Sequence, residues 1–458
     1  MIRKCFICFL LVAVACGFLA CSENDMQAPV YSDIGINDVV PSVPPASTPI
    51  VAEGYRYPKE RLKEHLLLFD GHLEIQIDTD IFMPSVSIGT RNATRKTFTS
   101  QQFESFVNLI GNEKMLYYES PQDKAYWEKA LAAAQAGWVD INGELSIDRD
   151  YVAYCNDMLE NAPITAMEEP FAFSDFQAGQ AFACDIRFDD GSVGSVGITE
   201  DNMFYYKRDR DIVSNLNRYT IESEGFSMPE IDIDAGAAIA IADQVVAALG
   251  ADDLVFDNVA ERAVVHDQSD VLLGIQRVIY VKTCDGLKTY DTGTSFQITP
   301  RSWPAYGAPW PQERLEICVD TNGIVSVDWN GMTELLPDWR PTTLLPFDKL
   351  KPLVIEKIAL FSPFAVNQQP YYGANVYHWR LGTSLTSIDS ERDVGAMIPT
   401  WYISYHETAG LAEDDRSSKM NQDRIIAFNA IDGTYIDPRV TTEIMSQRAA
   451  RTQQDYLE

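Results

Sequence analysis

The stretch Arg314–Trp329 reads R-L-E-I-C-V-D-T-N-G-I-V-S-V-D-W, and it decides the fold expected for this chain. Two strand-like runs lie on either side of Asn322-Gly323, a residue pair that strongly favours a tight hairpin turn. Asp-Gly pairs mark similar turns elsewhere, at Asp190-Gly191, Asp285-Gly286 and Asp432-Gly433. Short antiparallel hairpins are therefore predicted along much of the chain.

Amphipathic helices are predicted ahead of these hairpins. Thr99 and Gln102 have the spacing of a capping box, and apolar residues follow them at helical intervals. Asp234 is a good N-cap for a second helix that Gly250 ends, and a third helix is expected after Pro346. The predicted fold class is therefore α+β, built as tandem modules in which a helix packs on a short antiparallel sheet.

Composition shifts and turn signals divide the chain into six segments. They are a signal peptide at 1–20, a proline-rich tether at 21–57, an N-terminal α+β module at 58–230, a middle α+β module at 231–340, a C-terminal α+β module at 341–440 and a polar tail at 441–458.

The first 21 residues predict where the protein is located. Arg3 and Lys4 precede the apolar run Cys5–Phe18, and a polar stretch follows Cys21 at once. This pattern is typical of a bacterial lipoprotein signal, so we expect acylation of Cys21 and an extracytoplasmic protein anchored to the cell membrane. Acylation of Cys16, or plain secretion after ordinary cleavage, are the alternatives.

Composition limits the partners and the size of the core. The 458 residues carry a formal charge of −31, which argues against binding to nucleic acid or electrostatic adhesion to anionic lipid. Hydrophobic residues make up 46 % of the chain, enough for a sizeable core.

Four of the eight cysteines lie beyond Cys21: Cys155, Cys184, Cys284 and Cys318. In an exported chain they could form two disulfides, and the pairs Cys284 with Cys318 and Cys155 with Cys184 are plausible. Four buried free thiols are the alternative. The histidines are scattered and no metal-ligand spacing is present, so neither a metal nor another cofactor is predicted.

No sequence motif for catalysis is found. The chain has no G-x-S-x-G motif, no phosphate-binding glycine loop and no cysteine beside a histidine. The paired acidic residues fall in acidic runs or at predicted caps and turns, where solvation and helix capping explain them. No catalytic residue is assigned, and the chain is predicted not to be an enzyme.

The segment Pro300–Pro311 (P-R-S-W-P-A-Y-G-A-P-W-P) combines aromatic rings with a proline-stiffened loop. Trp303, Tyr306 and Trp310 are candidate binding residues for a peptide, a glycan or a protein, because rigid aromatics bury much area at little entropic cost. Packing of these rings between modules is the alternative. The strand-associated tryptophans are predicted core residues: Trp329, Trp339, Trp379 and Trp401.

Five segments of the chain resemble an uncharacterised family of lipoproteins from gut clostridia: Arg95–Phe103, Ala248–Leu254, Tyr306–Trp329, Leu344–Leu350 and Ile425–Asp437. The resemblance covers nearly the whole mature chain. It implies architecture and location but no catalytic residues, since that family has no established activity. The modules at 231–340 and 341–440 also resemble PepSY-type domains, which occur in protease-inhibiting propeptides and in regulators of cell-wall sensor kinases.

The function expected from the sequence is non-catalytic interaction or regulation at the membrane surface, with a membrane protein as partner. A ligand-binding lipoprotein for peptides or glycans is the alternative, and a hydrolase with unrecognised residues is the third reading.

Overall fold

The structure is a computed structural model, and it describes residues 61–119, 123–136, 138–139, 145–147, 149–164, 169–200, 202–209, 212–217, 227–266, 272–290, 310–361, 371–387, 394–410 and 422–436. The predicted signal peptide, tether and polar tail lie outside these residues, as do Cys21, Trp303 and Tyr306.

Strands are the main element of the described chain, and they are numbered in chain order. The first eleven are β1 Leu62–Leu68, β2 Leu73–Thr79, β3 Ile81–Phe82, β4 Gly89–Arg95, β5 Leu116–Tyr118, β6 Trp138–Val139, β7 Leu145–Ser146, β8 Phe182–Arg187, β9 Val193–Ile198, β10 Phe204–Lys207 and β11 Ile212–Asn217. The others are β12 Leu254–His266, β13 Leu272–Cys284, β14 Leu287–Lys288, β15 Arg314–Asp320, β16 Gly323–Asn330, β17 Thr333–Leu335, β18 Arg340–Pro341, β19 Tyr371–Ser387, β20 Val394–Gly410, β21 Gln422–Asn429 and β22 Tyr435–Ile436.

The helices of the described chain are α1 Ser100–Ile110, α2 Lys124–Ala136, α3 Arg149–Asn161, α4 Ala235–Ala248 and α5 Phe347–Phe361. Single 3₁₀ turns lie at Glu113–Met115 and Phe173–Asp175.

Sheet A joins strands from the two ends of the described chain. Its order is β1-β2-β19-β20-β21-β22; β3 pairs with β19, and β4 pairs with β20, β17 and β18. The pairing of β2 with β19 is parallel, whereas β19 and β20 form a long antiparallel pair. Sheet B has the order β11-β12-β13-β15-β16-β10-β9-β8-β5, with β14 paired to β13.

The predicted α+β fold of tandem helix-on-sheet modules is wrong. The described chain is mostly β, with two sheets of ten strands each as against five helices. The pairing of β10 with β16 crosses the boundary predicted at residue 230, and the pairing of β2 with β19 joins the first predicted module to the third. A hairpin has unpaired backbone N–H and C=O groups on both outer edges. In this chain, strands distant in sequence bond to these edges, so the hairpins join two large sheets rather than forming separate small ones.

The local signals for two helices are confirmed. The Thr99 side chain accepts a hydrogen bond from the Gln102 backbone N–H, and the Gln102 side chain accepts one from Thr99 in return, which is the capping box expected for α1. Asp234 caps α4, and Gly250 follows its end at a φ of +57°. Both helices cover one face of sheet B.

The predicted tryptophan core is confirmed at three positions and is wrong at Trp339, which is half-buried. Trp329 is fully buried beneath α1 and α4 in sheet B, and Trp379 and Trp401 are fully buried beneath α5 in sheet A. Helix α5 begins at Phe347, which places Pro352 in its second turn rather than its first. One intrahelical hydrogen bond is therefore missing in α5.

Candidate functional site

A polar cavity of about 170 Å³ lies where sheet A meets sheet B. We call it the inter-sheet pocket. Sheet B and the chain after β14 supply one wall, and β19, β20 and β21 of sheet A supply the other. The lining residues are Asp257, Asn258, Tyr290, Arg380, Tyr402, Ser404 and Ile425.

Strand register places the sheet A residues on one face. Arg380 is paired with Tyr402, and Ser404 is paired with Ile425 on the next strand. Directly paired residues share a face, and residues two apart along a strand do so as well. The alternate residues of the same strands, such as Trp401, point to the core beneath α5. The sheet A wall of the pocket is therefore held in place by a packed layer behind it.

A β-bulge brings the sheet B carboxylate into the pocket. The register of β12 against β13 shifts between Phe256 and Asn258, so Asp257 is the extra residue. A bulge bends a strand and redirects a side chain, which is how it serves many binding sites. The Asp257 carboxylate accepts hydrogen bonds from Lys288 Nζ at 2.6 Å and from Asn258 Nδ2 at 3.1 Å.

The Tyr290 ring connects the two walls. The Arg380 guanidinium carbon lies 4.9 Å from the ring centroid, and Lys288 Nζ lies 5.0 Å from it. Tyr402 packs edge-on against the same ring at 5.2 Å. The Tyr402 hydroxyl is itself fixed, because it donates to the Thr383 carbonyl at 2.7 Å. Cation–π and edge-to-face contacts therefore hold the walls before any ligand enters.

The positive charge of the pocket lining comes from Arg380. Lys288 and Asp257 form an ion pair and cancel. Arg380 contacts His378 Nδ1 at 2.5 Å and the face of Tyr290, but it forms no ion pair with any residue that the structure describes. Partial burial lowers the pKa of His378 below 6.5, and the Arg380 charge lowers it further, so the imidazole is neutral near pH 7. The lining thus holds one cation, Arg380, and one carboxylate, Asp257, and Lys288 from outside the lining already pairs with that carboxylate.

The size of the pocket limits what it can hold. A volume of 170 Å³ corresponds to about six water molecules, and it is smaller than the cavities of roughly 300–1,000 Å³ that enclose drug-sized ligands. It can take the end group of a larger polar molecule, with the remainder of that molecule outside.

No family model matches the chain, and no curated protein matches it. Among solved structures, the chain is similar to an uncharacterized protein from Eubacterium rectale, with 10 % sequence identity and a TM-score of 0.47. The similarity covers 82 % of this chain and 93 % of that chain. At this level it supports no inference about fold or function.

A second polar cluster has a buried centre, since Lys282 and Glu313 are each 1 % exposed, whereas its third member, Asp253, is 43 % exposed. The Lys282 ammonium from β13 contacts the Glu313 carboxylate, the Asp253 carboxylate and the Thr333 carbonyl. Glu313 also accepts from Trp329 Nε1 at 3.0 Å and from the Thr333 backbone N–H at 3.1 Å. Since Thr333 belongs to β17 of sheet A, this cluster ties the two sheets together.

Burial and the neighbouring charges together shift the pKa values of Glu313 and Lys282. Burial raises the pKa of the Glu313 carboxyl to about 7, although the Lys282 charge acts in the opposite direction. Burial by itself would lower the pKa of Lys282, but the charges of Glu313 and Asp253 outweigh it and raise that pKa. The lysine therefore stays charged, and it lies in the wall between the sheets rather than in the pocket.

Trp310, a candidate binding residue from the sequence, lies between the sheets. Its side chain is 2 % exposed, and its Nε1 donates to Thr333 Oγ1 at 2.9 Å. It packs with Leu385 and Met397 of sheet A and with Cys284 of sheet B. The binding role of Trp303 and Tyr306 stays a prediction, since both lie outside the described residues. Tyr290 of the pocket lies ten residues before Pro300 in the sequence.

Neither of the suggested disulfides is formed. All four cysteines are buried free thiols, and each lies in a different hydrophobic cluster. Cys318 pairs with Arg277, seven residues before Cys284 on β13. At about 3.3 Å per residue the two cysteines are roughly 23 Å apart, whereas a disulfide needs Cα atoms within about 7 Å. Cys155 packs between α2 and α3, away from Cys184 in sheet B.

The pocket residues were not singled out from the sequence. A bulge at Asp257 leaves no mark in the pattern of apolar residues, and the pairing of sheets A and B joins distant parts of the chain. The one available signal was Arg380, a basic residue between Trp379 and Leu381 in a strand-like run of the sequence.

None of the helices in the described part of the chain has the length and apolarity needed to cross a membrane. No group of three or more histidine, cysteine, aspartate or glutamate side chains among those residues is placed to hold a metal ion.

Proposed function

We propose that this protein is a lipid-anchored extracytoplasmic binding protein, and that the inter-sheet pocket receives the end group of a peptide or glycan. The observation that carries the proposal is the pocket itself. Side chains from two sheets are fixed around a polar cavity of about 170 Å³, and Arg380 lines it without an ion pair to any described residue. Fixed polar groups beside aromatic walls are what small-ligand sites use for orientation and specificity.

Location is the second part of the proposal. Arg3, Lys4 and the apolar run before Cys21 support export, and acylation of Cys21 would hold the protein at the membrane. The tether at 21–57 would allow the folded part to stand off from the lipid surface by about 30–35 Å. Substitution Cys21→Ala is expected to move the protein from the membrane fraction to the soluble fraction. Retention of the variant in the membrane fraction would contradict the anchor.

The lining of the pocket supports binding rather than acid–base catalysis. Asp257 is the one carboxylate among the seven lining residues, and Lys288 engages it at 2.6 Å. Hydrolysis by a pair of carboxyl groups needs a second acid in a different environment. The lining does not supply one.

Contact with a membrane protein is the second candidate function, and exposed rings beside the pocket favour it. Phe82 is 56 % exposed and pairs with Arg380, while Phe256 is 41 % exposed and precedes Asp257. Exposed apolar side chains around a polar site are typical of an interaction surface. A partner that covers the pocket on its Arg380 side would contact the Phe82 ring.

The test is retention of ligands from peptide and glycan libraries by the full mature protein in detergent. Asn258→Trp places a large ring in the pocket wall, and Asn156→Trp on the exposed surface of α3 is the matched control. We expect the wild type and the Asn156 variant to retain the same ligands and the Asn258 variant to lose them. Absence of retention by the wild type, or equal retention by all three, overturns the proposal.

Cross-linking in the cell distinguishes the second candidate. A single membrane protein captured by the wild type and lost in Phe82→Ser would support a protein partner instead of a small ligand.

A further inference from the structure

Resting on the proposed binding role, we infer that the inter-sheet pocket recognises a carboxylate group through Arg380. Such a group is present at the C-terminus of a peptide and on an acidic sugar.

The Arg380 guanidinium has N–H donors that the described contacts do not use. A guanidinium has five N–H donors in a rigid fork that matches a carboxylate. The described contacts use one donor nitrogen, at His378 Nδ1, and the face of the Tyr290 ring. Arg380 forms no ion pair with any described residue, and its guanidinium lines the cavity. The cavity in front of it is where an anionic group can approach.

Lys288 is the other cation beside the Tyr290 ring, although it does not line the cavity. Its ammonium is paired with Asp257 at 2.6 Å. This pairing makes Lys288 less available to an anionic ligand on the sheet B side of the cavity. An anionic ligand group is therefore directed to Arg380 on the sheet A side, and the two cations are not equivalent.

Two aromatic rings hold the Arg380 guanidinium in one orientation. The Tyr290 ring holds the guanidinium at 4.9 Å, and Tyr402 holds that ring edge-on at 5.2 Å. Arg380 thus loses little freedom when it binds, and preorganisation of this kind raises affinity. The Ser404 hydroxyl also lines the cavity and makes no hydrogen bond with any described residue. It can donate to the same ligand group.

The test compares matched acidic and neutral probes on the full mature protein in detergent at low salt. The peptide pair is acetyl-alanyl-alanine and its C-terminal amide, and the sugar pair is galacturonic acid and galactose. Each probe is titrated to about 10 mM, which covers Kd values in the millimolar range. We expect at least one acid to bind about tenfold more tightly than its neutral partner, as a charge-assisted pair worth about 1.4 kcal/mol requires.

Variants assign the preference to Arg380. Arg380→Gln is expected to abolish the preference for the acid, and Arg380→Lys to keep part of it, since an ammonium keeps the charge but not the planar fork. Arg340→Gln, which removes a cation paired with Asp338 on sheet A, is the matched control and should keep the preference. Equal melting temperatures for the variants exclude unfolding as the cause.

Each outcome decides the inference. Whichever acid shows the preference identifies the source, peptide or sugar. Equal binding of acid and neutral probes, or a preference that survives Arg380→Gln, overturns the carboxylate assignment. Absence of binding by both acids also overturns it, and the library retention described above then shows whether the proposed binding role still holds.

Discussion

The Lys282 ammonium and the Glu313 carboxylate lie 3.0 Å apart, and each side chain is 1 % exposed to solvent. Lys282 belongs to β13 in sheet B, and Glu313 holds the Thr333 backbone of sheet A through a hydrogen bond of 3.1 Å. A buried pair of this kind is weak evidence for a net gain in stability, but removal of one partner leaves an uncompensated charge. The pair therefore makes the junction of the two sheets sensitive to single substitutions.

Lys282→Met is expected to lower the free energy of unfolding by about 1–3 kcal/mol, because Glu313 then takes up a proton and the Thr333 carbonyl loses its buried donor. The control is Lys351→Met, which removes a more exposed pair with Glu64 and should cost at most about 1 kcal/mol. Urea denaturation of both variants measures the difference. Equal losses would show that the buried pair has no special role.

The ion pair between Asp320 and Arg208 is expected to make the folding stability depend on pH. Arg208 donates to both carboxylate oxygens, at 2.8 and 2.6 Å. Burial alone would raise the pKa of Asp320, but the hydrogen bonds and charge of Arg208 outweigh it and lower the pKa below 3.8. Below pH 3.8 the unfolded state therefore binds more protons than the folded state, so this contribution to stability is lost as the pH falls.

Asp320→Asn is accordingly expected to cost about 1–3 kcal/mol at neutral pH, and the cost should shrink as the pH falls below the ordinary aspartate value. Denaturation of the wild type and the variant across that range measures it. Asp78→Asn, which removes an exposed contact with Arg61, should cost clearly less than Asp320→Asn, because solvent screens that contact. A loss for Asp320→Asn that does not change with pH would contradict the assignment.

Gly331 and Gly323 both have a positive φ, but they differ in the space available for a Cβ atom. Gly331 has a φ of +69°, and a Cβ there would lie 2.1 Å from the Pro311 carbonyl oxygen. Gly323 has a φ of +109°, and a Cβ there would meet no atom within 4 Å. Gly331→Ala is therefore expected to destabilise by several kcal/mol and Gly323→Ala by about 1–2 kcal/mol. Similar melting temperatures for the two variants would contradict this difference.

Trp310→Phe is expected to lower stability by about 1–3 kcal/mol, since it removes the hydrogen bond to Thr333 and leaves space between the sheets. Its effect on retention of ligands from the peptide and glycan libraries should be small. A loss of ligand retention without a loss of stability would instead support a direct binding role for this ring.

The four buried thiols can be counted chemically. In a chain that begins at Ser22, the cysteines are Cys155, Cys184, Cys284 and Cys318. Burial raises the pKa of the Cys284 thiol to about 12 and raises those of Cys184 and Cys318 too, so a thiol reagent should label the native protein very slowly. In denaturant without reductant, all four should react. Labelling of only two would indicate a disulfide.

Much of the local structure could be predicted from short-range signals. The hairpin at Asn322-Gly323 is formed by β15 and β16, with Asp320 paired to Gly323. The capping box at Thr99 and the N-cap at Asp234 are also present. These features depend on φ preferences and on hydrogen bonds between residues close in sequence, so the residue types specify them directly.

The pocket could not be predicted in the same way. Its two walls are strands that meet only after the chain has closed two sheets, and the strand order of those sheets is not encoded in any single hairpin. Arg380 and Asp257 lie more than a hundred residues apart in sequence and line one cavity.

The sequence by itself therefore determined the turns, the helix caps, the buried tryptophans and the acidic character of the chain. The tertiary structure alone decided which strands became neighbours, that the modules merged into two sheets, and that one arginine was left facing a cavity. The physical reason is that the backbone hydrogen bonds of turns and caps form between residues close in sequence. The unpaired backbone groups at a strand edge can bond to any strand of suitable pattern, and burial of the whole core selects which strand becomes the neighbour.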